Sequence, residues 1–188
     1  MPSMDQFDSL SPRDVVITIR SLGRRFGEIS GSARSDPAVF DRLEAAGPHG
    51  RSLPEIAIAA AQALSFLGNE LDRVIDRDDA VVPREAVSPD ERTFVEPPGR
   101  GTMADAVDAI AAESTRIADR LDRLDAKQWG RSADLTGGGR IELLALAREA
   151  ARTEIRELRE AEQQLEWLQS AVPGSRDPNA AFDEADPA

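Results

Sequence analysis

Residues 125–168 read DAKQWGRSADLTGGGRIELLALAREAARTEIRELREAEQQLEWL. From Ile141 onward, apolar residues recur in steps of three and four: Leu144, Ala147, Ala151, Leu158, Ala161, Leu165 and Leu168. That spacing places them along one face of a single long helix. Glu154 falls in the same row, a carboxylate in mid-seam. If the seam is buried, an ionised group there costs several kcal/mol unless it is paired, and Arg20, Arg24, Arg73 and Arg116 are candidate partners. The alternative is a helix turned slightly, with Ile155 facing in and Glu154 at the rim. Ahead of the helix, Trp129 reads as a hydrophobic plug over the end of a bundle or, less simply, as a ligand contact. Gly137-Gly138-Gly139 reads as a flexible lead-in to the helix. It lacks the lysine and the spacing of a phosphate-binding loop and follows no predicted strand.

Working outward from this stretch, three more long helices carry their own start signals. Ser11-Pro12-Arg13-Asp14 opens the first, with a seam at Val15, Ile19, Leu22, Phe26 and Ile29 and an expected end at Gly31-Ser32. Ser52-Leu53-Pro54-Glu55 opens the second, whose seam is Ala57, Ala60, Leu64, Leu67, Leu71 and Val74. Thr102 precedes the third, with Met103, Val107, Ile110, Ser114, Ile117, Leu121 and Leu124 in register; Ser114 sits in mid-seam. Asp36-Pro37 starts a short extra helix expected to reach about Ala46. Between the second and third long helices, Asp76 to Thr102 holds Pro83, Pro89, Pro97 and Pro98, and Val81-Val82 alternates too weakly to predict a strand.

Four amphipathic helices make an all-α, four-helix bundle over residues 11–170. Residues 1–10 read as a flexible arm, and residues 171–188, acidic and proline-bearing, as a disordered tail. The connection of residues 77–101 is long enough to run the length of the bundle, so the third helix can start at the same end as the second. That gives up-down-down-up order, although simple antiparallel order also fits this spacing.

Composition removes several function classes. The chain has no cysteine and one histidine, His49, in a Gly-Pro-His-Gly turn. Thiolate catalysis is excluded, a serine–histidine–acid triad has only His49 to use, and any metal site must be built from carboxylates such as Glu154 and Glu157. A paired-carboxylate di-iron bundle needs Glu-x-x-His, which is missing. The net charge of −12 argues against nucleic acid and anionic membrane as partners. No apolar run reaches membrane-spanning length, and MPSMDQFDSL shows no basic-then-apolar signal pattern, so a cytoplasmic location is expected.

The order of parts, a helix ending LDRLDAKQWGR, a Gly-rich turn and then LLALAREAARTEIRELREAE, resembles the DinB-like superfamily, in particular the N-terminal domain of mycothiol-dependent maleylpyruvate isomerase. The resemblance spans residues 15–168 and implies an up-down-down-up bundle. Many members of that superfamily hold a divalent metal through one histidine on helix two and two histidines a turn apart on helix four, and some couple it to a low-molecular-weight thiol. Here the corresponding helix-four stretch is AARTEIREL, with Thr153 and Glu157 at the equivalent positions, and helix two offers only Gln62. The resemblance therefore implies a bundle whose metal site is lost, with no cofactor. The expected function is binding of a small molecule or a protein partner without assured catalysis. Gln62, Ser114, Trp129, Thr153, Glu154 and Glu157 are the candidate contacts. Alternatives are a thiol-dependent transferase or isomerase using a mid-bundle pocket around Ser114 and Glu154, and a purely structural dimer. A homodimer through small-residue helix faces is also expected.

Overall fold

Residues 7–88 and 101–170 are described by the computed structural model. The readings for residues 1–6, for Pro89, Pro97 and Pro98, and for the tail 171–188 lie outside the described residues. The long helices are α1 (Pro12–Ser35), α3 (Leu53–Asp76), α4 (Met103–Asp122) and α6 (Leu143–Ser170). Two single-turn helices, α2 (Pro37–Phe40) and α5 (Ala126–Trp129), sit between them.

Local chemistry sets the helix starts. Ser11, Ser52 and Thr102 each accept a hydrogen bond from the backbone amide three residues on, and Asp14, Glu55 and Asp105 each accept one from the backbone amide of the cap residue. These reciprocal bonds satisfy amides that no turn of helix reaches. The ends differ from expectation. Gly31-Ser32 does not stop α1, which runs on to Ser35. The stop is Asp36, held extended before Pro37, where the ring of proline disfavours helical backbone. The extra helix α2 ends at Phe40, well short of Ala46, and gives way to turns.

Ion pairs and close contacts fix the helix directions. Arg20 of α1 meets Asp119 of α4 at 2.9 Å, while Gly23, further along α1, lies against Ala111, earlier on α4, so the two run antiparallel. On α3 and α4, Asp72 bonds Arg116 and Asp76 bonds Arg120, a parallel progression. The Leu10 carbonyl, just before α1, accepts from Arg148 at 2.6 Å, and Arg25 meets Glu162 at 2.7 Å, so α1 and α6 are parallel. Arg51, ahead of α3, reaches Glu157 on the second half of α6. At the other end of α3 the Ile75 carbonyl accepts from Arg131, whose own carbonyl accepts from the Leu143 amide that opens α6. The order is thus up-down-down-up. The core between the helices is filled by fully buried Ile19, Leu22, Phe26, Leu64, Leu67 and Ile110 among others.

A small sheet absent from the sequence reading closes the end where α3 stops and α6 begins. β1 (Val81–Val82) pairs in parallel with β2 (Ser132–Leu135), which pairs antiparallel with β3 (Arg140–Glu142). Gly137, Gly138 and Gly139 form the β2–β3 turn with φ of 82°, 101° and 100°, a region closed to most side chains. They are therefore hairpin residues and not a helix lead-in, and Ile141-Glu142 belongs to β3. Strands of two to four residues carry too little alternation to be recognised from sequence.

Candidate functional site

Along α6 the seam is wider than one row of residues. Glu154 is fully buried at 0% exposure, and Ile155 beside it is only 8% exposed. Glu154 is therefore not at a rim, and Ile155 faces protein as well. Arg20, Arg24, Arg73 and Arg116 are engaged by Asp119, Glu28, Glu70 and Asp72 respectively.

On α6, Glu149, Thr153 and Glu157 follow one another at four-residue intervals and all three are buried. Thr153 Oγ1 lies 3.4 Å from Glu149 Oε1, and Glu149 pairs with Arg152. Glu157 Oε2 accepts from Arg51 NH2 at 2.8 Å, and the same guanidinium grips both oxygens of Glu160, through Nε at 2.8 Å and through NH2. Burial works against the charged form of Arg51, but the hydrogen bonds and charges of Glu160 and Glu157 outweigh it and raise its pKa.

The loop of residues 45–51 is thereby tied to α6 at three points. Gln164 Nε2 donates to the Ala45 carbonyl at 2.9 Å, His49 Nε2 lies 3.0 Å from Gln163 Oε1, and Arg51 holds Glu157 and Glu160. Gly47 admits the Gln164 side chain, since a Cβ there would sit 1.5 Å from its Oε1. On the other side, residues 7–10 lie on α6: Arg152 NH2 meets Asp8 at 2.6 Å and its guanidinium stands 6.0 Å over the Phe7 ring. Between Phe7 and His49 runs a groove of about 290 Å³ along α6, walled also by Thr153, Ile155, Arg156 and Arg159.

Of the residues singled out from sequence, Thr153 lines this groove. Glu157 lies a turn further along α6 under Arg51, and Glu154 faces the interior. Ser114 lies on α4 where α1 approaches most closely: a Cβ on Gly23 would be 2.6 Å from Ala111 Cα and 3.3 Å from Ser114 Oγ. Its hydroxyl donates to the Ala111 carbonyl of its own helix. Trp129, on α5, is half-buried and packs against the core. Gln62 is half-buried on α3. Thr153, Glu154 and Glu157 share one helix, α6, whereas Ser114 is carried by α4 and Trp129 by α5. Phe7, His49, Arg51, Arg152, Arg156 and Arg159 were not anticipated as site residues. The signal available was the run of arginines at 148, 152, 156 and 159, which resembles an ordinary solvated helix face.

No protein-family model matches the chain, and no curated protein matches it. Among solved structures it is similar to YfiT from Bacillus subtilis, described as a probable metal-dependent hydrolase with an unusual four-helix bundle topology. The TM-score is 0.56 over 89% of this chain and 91% of YfiT, at 12% identity. At that identity the likeness concerns the fold.

The donor set here does not fit a divalent metal. Among the described residues, no three histidine, cysteine or acidic side chains converge. The single histidine is held by Gln163, and the carboxylates of Glu157 and Glu160 already carry a permanent cation, the Arg51 guanidinium. A metal ion placed there would face a like charge.

Proposed function

We propose that this chain is a DinB-like bundle acting as a binding module for a small molecule held in the groove along the outer face of α6. The observation that carries this reading is the groove itself, a concavity between two segments, residues 7–10 and 45–51, each fastened to the same helix. Its volume of about 290 Å³ falls just below the range for small-molecule sites, roughly 300 to 1,000 Å³, and so suits a small ligand. The shared bundle of YfiT supports the DinB-like assignment. The donor set supports a function that does not proceed through a metal held by Thr153 and Glu157. Thr153 becomes part of the groove wall, and Glu157 an anchor for the loop that forms the groove's other side.

Ligand-observed NMR with a fragment library tests this. Fragments that bind the wild type are expected to be displaced by Gln163→Trp, which puts a large ring into the groove from an exposed position. Equal binding to the variant would place the site elsewhere and end the proposal.

A further inference from the structure

Resting on that groove reading, we propose that its ligand is a small organic carboxylate with an apolar body, its anionic end held by Arg156 and Arg159. The argument begins with charge. The chain carries a net −12, yet this groove is bordered by three arginines and two glutamates. Both glutamates are committed, Glu149 to Arg152 and Glu160 to Arg51. Arg152 is further committed to Asp8. Two cations are left over. Arg156, 52% exposed, reaches only Glu157 Oε1 at 3.7 Å, beyond hydrogen-bond length. Arg159 makes no ion pair with any described residue.

A guanidinium presents parallel N–H donors that match a carboxylate, and two of them three residues apart on one helix flank the same opening. The rest of the wall is of another character. Phe7 and Ile155 supply apolar surface, which asks for a body that leaves water. The small volume and the acidic molecule around it disfavour polyanions and long chains. A monoanion with one ring or a short branched chain meets each of these conditions.

The experiment titrates the full chain with phenylacetate, phenylacetamide and inorganic phosphate, reading amide chemical shifts. It does so for the wild type and for the Arg156→Gln/Arg159→Gln variant, whose substituted side chains stand at the open side of the groove. Phenylacetate is expected to bind about tenfold more tightly than the amide, as for a charge-assisted pair. That preference should fall to within about twofold in the variant and weaken as salt rises. Amide binding as tight as the acid's would overturn the carboxylate assignment while leaving the groove reading intact. Phosphate binding as tight as phenylacetate's would overturn the requirement for an apolar body. Absence of binding by all three probes would also overturn this proposal, while the fragment screen with Gln163→Trp decides the groove independently.

Discussion

Glu70 on α3 shows how a single residue sets a pH dependence. Its side chain is 5% exposed, and Arg73 stands 3.0 Å from it. Burial raises its pKa and the charge of Arg73 offsets only part of that rise. A carboxylate raised in the fold favours the folded state when protonated. That contribution is lost as pH climbs from the unfolded value of about 4.3 through the higher folded value. Glu70→Gln is therefore expected to stabilise the protein against urea at pH 7, with the gain fading below about pH 4, where both side chains are neutral. A loss at pH 7 would mean that the ion pair with Arg73 outweighs burial. Gly47 makes the opposite kind of demand, for space. Gly47→Ala drives a methyl into Gln164 and breaks its bond to the Ala45 carbonyl. The expected cost is about 2–3 kcal/mol by chemical denaturation, from overpacking and an orphaned buried amide. Neither residue could be singled out from sequence. Glu70 lies outside the apolar row of its helix, and the partner of Gly47 is more than a hundred residues away.

At the scale of elements, the starts of α1, α3 and α4 were legible because a capping box is written within four consecutive residues. The helix directions were legible only as far as the length of one connection allows them. The sheet and the true role of Gly137-Gly138-Gly139 were not, since β1 finds its partner some fifty residues away. The groove was illegible for the same reason: its walls are a loop and an arm that the sequence treats as connections. What makes the loop a wall is Arg51. Its side chain is 33% exposed, against 10% and 19% for Glu157 and Glu160. Arg51→Ala leaves two largely buried carboxylates a turn apart without their cation. A fully buried pair broken in this way costs roughly 3–5 kcal/mol, and partial exposure reduces the expected loss here to about 2 kcal/mol. Hydrogen exchange should then speed up at residues 45–51 more than in α1. Uniform change across the bundle would show that Arg51 supports the core and not the loop.

At the scale of the whole molecule, several acids among the described residues tie one helix to another. Arg20–Asp119 joins α1 to α4, Arg25–Glu162 joins α1 to α6, and Arg116–Asp72 joins α3 to α4. A chain with 35 acidic residues attracts divalent cations weakly as a whole, but tight binding needs several donors converging on one point. In this bundle the acids best placed on α6, Glu149 and Glu157, each face an arginine instead. Zinc or nickel at about 10 μM is therefore expected to move the melting temperature by less than about 1 °C, since binding tight enough to matter would stabilise the folded state by mass action. The comparison that gives this force is Arg51→Ala in the same assay. Removing the guanidinium frees Glu157 and Glu160 for a hard cation, so magnesium should recover part of the stability lost in the variant while leaving the wild type unchanged. One equivalent of transition metal retained by the dialysed wild type would overturn the argument.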